Sequence, residues 1–323
     1  MTLFRLGYVA MSVHVKNASP SQTMTYNQFE KIRDREAAVR KLELIAKTNI
    51  NNCLRLLKHN AAHDIRFFRL SSKLVPLATH DELRGWNFIR PIKEDLKELG
   101  KFATEKQMRI DFHPDHFVVL NSPTEHNLKS SIILLKYHRL LLKGMGLDST
   151  HRCVIHLGGA YKDKEESLER FVSNWGTVPR TIQNMVMLEN DDKTYNIQDV
   201  LYVCEKLNIP MVFDLHHHLA NHLQTDWQAE WERILTTWEH SPYPIKMHIS
   251  SPKSSEQFRH HANYIDPKMF LQFVHDVNGS VDQIDCMIEA KMKDHALFKL
   301  MEALKKEPSI EVVDGASFYV KEK

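Results

Sequence analysis

The chain has 323 residues, of which 42% are apolar and 26% charged, and it contains 10 Gly and 12 Pro. This composition excludes a disordered or low-complexity protein, and the length allows one large domain or two small ones. The 43 basic and 41 acidic residues give a net charge of +2, which excludes a basic surface over the whole molecule. Binding to nucleic acid would therefore need a local patch.

The first predicted element is a strand at residues 4–11, within MTLFRLGYVAMSVHV. No basic run precedes this segment and no small-residue cleavage site follows it, which favours a strand over a signal peptide. Residues 33–64 are long enough for two helices, so we expect an extra helix in the first crossover. No run of about 18 apolar residues occurs, so no membrane span is predicted.

After this region, short apolar runs alternate with longer segments of helical periodicity. We predict seven further strands at residues 66–71, 108–112, 153–157, 186–189, 210–215, 245–249 and 285–289. The predicted helices include residues 127–143, 197–207, 227–238 and 267–277, and helix N-caps are expected at Asp163 and Asp266.

Eight strands, each followed by a helix, predict an α/β fold: a single-domain (β/α)8 TIM barrel over residues 1–323, with a C-terminal tail from about residue 305. An open doubly wound sheet would need a Gly-rich phosphate loop after an early strand, and none is present. The four cysteines are far apart and form no CxxC pair, which argues against a zinc ribbon or a disulfide framework. We therefore expect a reducing, cytoplasmic location, at the nucleoid if the source is bacterial.

The sequence contains 20 His, a residue type suited to metal binding and proton transfer. Polar side chains recur at or just after the ends of the third to eighth predicted strands. They are His113, His156, Glu189, Asp214, His217, Lys246, His248, His261 and Glu289. In a (β/α)8 barrel these positions meet at the C-terminal rim, where active sites of this fold lie.

Carboxylates in apolar strands such as MVMLEN are costly to bury unless they are paired or bound to metal. Mixed His and carboxylate ligands suit Mn²⁺, Zn²⁺ or Fe²⁺ better than Ca²⁺, and this set exceeds the need of one ion. We predict two or three divalent ions, with Mn²⁺ expected first and Zn²⁺ or Mg²⁺ as alternatives. For any single residue the alternative is a core histidine or a helix-capping carboxylate.

Lys246 and His248 lie on the same face of the seventh predicted strand. An ammonium group among metal ions would be repelled, whereas a neutral lysine can take up carbon dioxide and become an anionic carbamate ligand. The alternative is a lysine that extends to the edge of the strand.

Clustered divalent ions suit hydrolysis of a phosphodiester, because they generate the nucleophile and stabilise the attacking and leaving oxygens. We therefore expect Glu189, Lys246, Asp214 and Glu289 to be catalytic. Cations in the rim loops would form a local patch for a DNA backbone: Lys73, Arg84, Lys162, Lys164, Lys253 and Arg259.

Eight motifs occur in order: RLGYVAMS (5–12), FRLSS (68–72), HPDHFVVLNSP (113–123), VIHLGG (154–159), LEND (188–191), FDLHHH (213–218), KMHISS (246–251) and IEAK (288–291). Over about residues 1–300 the chain resembles the UV damage endonuclease family, relatives of endonuclease IV among the (β/α)8 barrels. The resemblance implies a metal-dependent, ATP-independent nuclease acting on damaged double-stranded DNA. Such enzymes cut immediately 5′ to cyclobutane dimers and 6-4 photoproducts, leave a 3′-hydroxyl and a 5′-phosphate, and often accept abasic sites. We expect a monomer.

The resemblance also assigns residues. The family's metal ligands match His113, His156, Glu189, Asp214, His217, His248, His261 and Glu289, and its carboxylated lysine matches Lys246. By analogy with endonuclease IV, Glu189 bridges two ions. Tyr8 matches a tyrosine placed at the lesion.

Two positions depart from the family pattern. Many members have Gln-Tyr where this chain has His116-Phe117, and many have Asn where it has Ser12. We expect His116 and Phe117 to enter the duplex opposite the lesion. The alternative places Phe117 in the core with Val118.

Two other functions compete with the nuclease. One is a sugar isomerase or epimerase of the same barrel type, although such sites rely more on carboxylates. The other is a protein that binds damaged DNA without cutting it, for which a metal cluster would have no use.

Overall fold

Eight parallel strands form the barrel wall in the computed structural model, which describes residues 1–321. They are β1 Leu3–Val9, β2 Phe67–Arg69, β3 Arg109–Asp111, β4 Cys153–His156, β5 Val186–Glu189, β6 Met211–Asp214, β7 Ile245–Ile249 and β8 Gln283–Ile288. Hydrogen-bonded neighbours follow the order β3-β2-β1-β8-β7-β6-β5-β4. A parallel bridge between Phe112 and Cys153 joins β3 to β4. The predicted single-domain barrel is confirmed.

Eleven α-helices surround the wall within the described residues. They are α1 Tyr26–Glu30, α2 Arg35–Ala62, α3 Lys93–Glu105, α4 Glu125–Gly144, α5 Lys164–Trp175, α6 Arg180–Gln183, α7 Ile197–Leu207, α8 Leu215–Ala220, α9 Trp231–Thr236, α10 Pro267–Val277 and α11 Lys293–Leu304. The predicted caps are confirmed, since Asp163 accepts from the Glu166 amide and Asp266 from the Lys268 amide. None of the helices in residues 1–321 is both long and apolar enough to cross a lipid bilayer.

The first crossover does contain an extra helix, but its position differs from the expectation. The extra helix is α1, which precedes residues 33–64, whereas that segment forms one helix of 28 residues, α2. Asp34 caps α2 by accepting from the Glu36 and Ala37 amides. No Gly or Pro occurs between Arg35 and Ala62, so nothing in the backbone interrupts the helix.

The segment predicted as a tail forms a β-hairpin of β9 Ile310–Val312 and β10 Ser317–Val320. Along one edge, β1 pairs with β10 at residues 3–5 and with β2 only at residues 7–9. The hairpin therefore covers the part of β1 that the short strand β2 does not reach. Phe318 of β10 stacks on Phe4 with ring centroids 5.3 Å apart. Residues 322 and 323 of the predicted tail lie outside the described residues.

A layer of buried ion pairs crosses the barrel below the rim. Asp285 of β8 accepts from Arg5 of β1 and Arg109 of β3, each at 2.8 Å. Lys246 of β7 donates to Asp111 of β3 over 2.6 Å. Buried charges are tolerated when each is paired in this way. Arg5 and Asp285 lie on the neighbouring strands β1 and β8, whereas Lys246 and Asp111 link β7 to β3 across the barrel.

His138 on α4 gives the fold a dependence on pH. Its ring is buried, lies edge-on to Phe112 and donates from Nδ1 to the Leu134 carbonyl over 2.8 Å. Burial lowers the pKa of His138 to about 4. The folded state then binds fewer protons than the unfolded state between about pH 6.5 and pH 4, so stability falls as pH falls through this window, by up to about 3 kcal/mol.

We therefore expect His138→Phe to flatten the decline of the unfolding free energy between pH 6.5 and pH 4. The free energies are measured by urea unfolding at several pH values. His126→Asn, at an exposed position of the same helix, should leave the decline unchanged. An unaltered decline in His138→Phe would show that other groups cause it.

Candidate metal centre

Glu189, the last residue of β5, lies at the centre of the site and is 1% exposed. Its Oε2 is 2.9 Å from Nε2 of His113 and 3.6 Å from Nε2 of His156. Its Oε1 is 2.6 Å from Nδ1 of His248 and 3.5 Å from Nδ1 of His217. One carboxylate therefore contacts imidazoles supplied by the third, fourth, sixth and seventh strands and the loops after them.

Three groups of side chains have ligand atoms within 4.8 Å of one another. They are His113–His156–Glu189, Glu189–Asp214–His217 and Glu189–His248–Glu289. The structure thus brings together seven of the residues predicted as ligands. Glu189 belongs to all three groups, which is the arrangement needed for a carboxylate shared between ions.

The buried oxygen atoms of the candidate ligands indicate whether this set of side chains suits a metal ion. Among the described residues, Asp214 Oδ2 is buried and has no hydrogen-bond partner. Burial raises the pKa of Asp214 to about 6. A carboxylate oxygen without a hydrogen bond is costly in a protein interior, and His217 Nδ1, at 3.7 Å, is too distant to supply one, whereas a cation would remove the cost. This oxygen and the surrounding imidazole nitrogens fit divalent ions that accept both donor types.

The protonation of the cluster is set by these contacts. Burial opposes ionisation of Glu189, but His248 and His156 outweigh it and hold the pKa of Glu189 well below its usual range. Burial also opposes a charged His217, yet Asp214 and Glu189 raise the pKa of His217 to about 9. Because a ligating imidazole must be neutral, metal binding at this cluster would release protons.

Two residues predicted as ligands lie outside the three groups. His261, in the loop after β7, has Nδ1 3.9 Å from Glu289 Oε2, at the edge of the site. Lys246 lies two residues before His248 on the same strand face, and its Nζ contacts Asp111 at 2.6 Å. Burial lowers the pKa of Lys246 to about 8, and Asp111 offsets part of that effect. Carboxylation of Lys246 stays a prediction.

Tyr8 is placed differently from the predicted contact with the lesion. Its side chain is fully buried, its hydroxyl donates to Asn60 Oδ1 over 2.6 Å, and its ring lies edge-on to Phe68. The residue points from β1 towards α2 and away from solvent. It therefore has no surface with which to touch DNA in this structure.

Ser12 has a structural role in the loop after β1. Its hydroxyl donates to Asp294, which also accepts from the Val13 amide over 2.9 Å and lies 3.0 Å from His59 Nε2. These contacts hold the start of the loop against α2 and α11. Ser12, which stands where many family members have Asn, therefore anchors the loop.

His116 and Phe117 lie in the loop after β3 and are both exposed. Phe117 is 66% exposed, whereas the next residue, Val118, is 3% exposed. The two rings are neighbours, with centroids 4.3 Å apart. The alternative in which Phe117 packs in the core with Val118 is wrong.

The sequence prediction missed Arg69, which ends β2 and is buried beside the ligands. Its Nη1 lies 2.6 Å from Glu289 Oε1, and its Nη2 lies 2.6 Å from His248 Nε2. Arg69 thus compensates part of the negative charge of the cluster. A signal was present in FFRLSS, where a charged residue follows an apolar strand as Glu189 does in VMLE.

The rim cations are largely compensated by neighbouring carboxylates. Salt bridges pair Lys73 with Asp115, Arg84 with Asp81, Lys164 with Asp199 and Arg259 with Asp192. A strong basic patch made of these loop residues is therefore not evident.

Comparison with known proteins agrees with this geometry. The family model for UV-endonuclease UvdE matches residues 4–319. The UV DNA damage endonuclease of Halalkalibacterium halodurans is 54% identical over 314 residues, which cover 97% of this chain and 98% of that protein. The UV DNA damage endonuclease of Bacillus cereus (strain G9842) is 38% identical with the same coverage of both chains.

Two solved structures share the architecture. The crystal structure of SacUVDE superposes with a TM-score of 0.82 at 31% identity, covering 94% of this chain and 98% of that chain. Endonuclease IV from Thermus thermophilus shares the fold, with a TM-score of 0.53 at 13% identity and coverage of 93% and 98%. Since the family model spans nearly all the described residues and the relatives match from end to end, the chain belongs to the UV-endonuclease UvdE family.

Proposed function

We propose that this endonuclease hydrolyses the phosphodiester bond immediately 5′ to UV photoproducts in double-stranded DNA. Cyclobutane dimers and 6-4 photoproducts are the expected lesions, with abasic sites as further substrates, and the products carry a 3′-hydroxyl and a 5′-phosphate. The observation that carries the proposal is the cluster around Glu189, where Asp214 Oδ2 lacks a hydrogen-bond partner among the described residues. The names of the relatives supply the class of substrate.

The proposal includes two or three divalent ions, Mn²⁺ first, held by the three ligand groups and by His261 at their edge. When bound, such ions would activate the water that attacks phosphorus and would stabilise the oxygens that enter and leave. The protein's own part is to fix the ligands. Glu189 holds four imidazoles, and Arg69 keeps Glu289 and His248 in contact with the cluster.

Selectivity for damage has a physical basis that needs no reading of sequence. A photoproduct weakens stacking and pairing, so the duplex costs less to kink and open at that point. A protein that inserts a side chain and displaces nucleotides therefore binds most favourably there. Dissimilar lesions can be accepted for the same reason.

The incision of irradiated and unirradiated supercoiled plasmid tests the proposal. We expect nicking of the irradiated plasmid with Mn²⁺ and none with excess chelator. Tight binding of damaged DNA without cutting in Mn²⁺ would support the binding protein instead. Conversion of a free sugar together with no nicking would support the isomerase.

The exposed pair His116-Phe117 provides a prediction about how the lesion is recognised. We propose that the two rings enter the duplex and replace lost stacking at about 1–3 kcal/mol per base contact. Replacing both residues by Ala should weaken lesion-DNA affinity and incision by about 10- to 100-fold, because the rings stabilise distorted DNA. The loss should be smallest at abasic sites, where opening the helix costs least.

Metal content and thermal stability should stay unchanged in this double variant, because Phe117 is exposed. Leu44→Ala removes another exposed apolar side chain, on α2, and serves as the matched control. Unchanged discrimination between damaged and undamaged DNA would place the inserting residue elsewhere.

We further propose that the protein acts as a monomer in the cytoplasm, at the nucleoid if the source is bacterial. The four cysteines are buried and unpaired, which suits a reducing compartment. Carboxylation of Lys246 completes the proposal. The full burial of Lys246 favours a neutral amine, which can be carboxylated, whereas its contact with Asp111 favours the ammonium form.

A further inference from the structure

A cavity of about 320 Å³ opens at the rim beside the metal centre. Glu289 and His261 form its inner side, so it adjoins the candidate metal ligands. Its remaining polar lining includes three cations, Arg259, Lys291 and Lys293. Lys291 is the last residue of the motif IEAK, and only Glu289 of this motif belongs to the candidate metal centre.

The walls of this cavity are fixed by the backbone. The amide of Lys291 donates to the Ala262 carbonyl over 3.0 Å, and the amide of Met292 donates to the Asn263 carbonyl over 3.1 Å. These two bonds fasten the segment after β8 to the loop after β7. They fix the backbone of the cavity wall from which the Lys291 and Lys293 side chains extend.

Lys293 is held in an unfavourable backbone conformation. Its φ is 51°, in the left-handed region that costs a residue with a Cβ about 1–2 kcal/mol. Such strain in a folded protein is maintained where the position of the side chain matters. Here the strained residue is the one whose side chain lines the cavity beside Glu289.

Among the described residues, the ammonium groups of Lys291 and Lys293 form no close ion pair, although the charge of Glu289 acts favourably on Lys293. The Glu289 carboxylate is in contact with Arg69, His248 and His261 instead. The Lys293 side chain is half-buried. An anion in the cavity would compensate both lysines.

We propose that this cavity binds a backbone phosphate of the DNA strand being cut, next to the scissile phosphate, with Lys291 and Lys293 as the principal contacts. Arg259 adds charge at the outer side, where its Nε is 3.9 Å from Asp192 Oδ2. The inference rests on the proposed function, because it assigns a second contact to the same substrate. The proposed phosphate site lies beside the metal centre. The other rim cations contribute less charge there, because most of them are paired with carboxylates.

The salt dependence of DNA binding tests this inference. Dissociation constants are measured with a damaged duplex in chelator at several KCl concentrations. Because each phosphate contact contributes about 0.9 to the slope of log Kd against log salt concentration, Lys293→Gly should lower that slope by roughly 1. We expect its affinity at low salt to fall by about 10-fold. Lys291→Gln should act in the same direction.

Glycine is chosen at residue 293 because it relieves the strain at positive φ. The thermal midpoint of Lys293→Gly should therefore stay unchanged or rise, and its Mn²⁺ content should equal that of the wild type. Lys306→Gln, beyond the other end of α11, is the matched control and should leave the slope unchanged.

A wild-type slope in Lys293→Gly would overturn the inference. So would a loss of Mn²⁺ content, because Lys293 would then act through Glu289. The binding assay does not depend on cutting. A wild-type chain that binds DNA through Lys293 but never nicks irradiated plasmid would therefore overturn the proposed function and support the phosphate site.

Discussion

Replacement of Glu189 by Gln is expected to lower metal-dependent incision by at least about 1,000-fold and to reduce the number of ions bound per chain. Glu189 belongs to all three ligand groups, and its oxygens contact four imidazoles. A neutral amide keeps the volume of the side chain but removes the shared charge and one ligand oxygen. The nicking rate of irradiated plasmid and the metal content of the purified protein are the two measurements.

Glu98→Gln, at an exposed position on α3, is the matched control and should change neither measurement. Circular dichroism should show a folded barrel in both variants. Full incision by Glu189→Gln in excess chelator would contradict a metal-dependent mechanism.

With Lys246 in the ammonium form that its contact with Asp111 favours, replacement of Lys246 by Met is expected to lower the free energy of unfolding by about 3–5 kcal/mol. The change leaves the Asp111 carboxylate buried without the ammonium that lies 2.6 Å from it, and neither side chain reaches solvent. Asp111→Asn should also destabilise the protein, because it leaves the Lys246 ammonium buried without its carboxylate partner. The double variant should lose less free energy of unfolding than the two single variants together. Urea unfolding of the wild type, both single variants and the double variant measures this difference as a coupling energy.

A carboxylated Lys246 predicts a different pattern. Lys246→Met would then lose Mn²⁺ and incision, and protein grown with ¹³C-bicarbonate would show a carbamate carbon by NMR. Loss of stability with full Mn²⁺ content would contradict carboxylation. Loss of Mn²⁺ with full stability would contradict the ion pair.

The clustering of the candidate ligands could be predicted because their positions follow from local patterns. Glu189 and Asp214 are single carboxylates at the ends of apolar runs, and a parallel barrel brings all such ends to one rim. No knowledge of packing was needed to place them together. The same reasoning identified the exposed loop of His116 and Phe117 as part of the rim.

Partners within the barrel interior could not be predicted in this way. Strand alternation puts Lys246 on the same face as His248, but it does not say how deep the amine lies or that Asp111 faces it across the barrel. Arg69 was missed because the charged residue after the apolar run in FFRLSS can equally be exposed to solvent, and the sequence does not show the buried partners Glu289 and His248. The hairpin of β9 and β10 depends on pairing with β1, which lies more than 300 residues away.

The pairing of β1 also sets the order in which the barrel can be completed during synthesis. Among the described strands β1 leaves the ribosome before all others, whereas its neighbours β8 and β10 are made about 280 to 310 residues later. At about 5–20 residues per second, the apolar strand LFRLGYV waits roughly 15–60 s for them. Only β2, which covers residues 7–9, is available early. Protection of the nascent chain by chaperones would therefore have to begin at the first strand and last until the hairpin emerges.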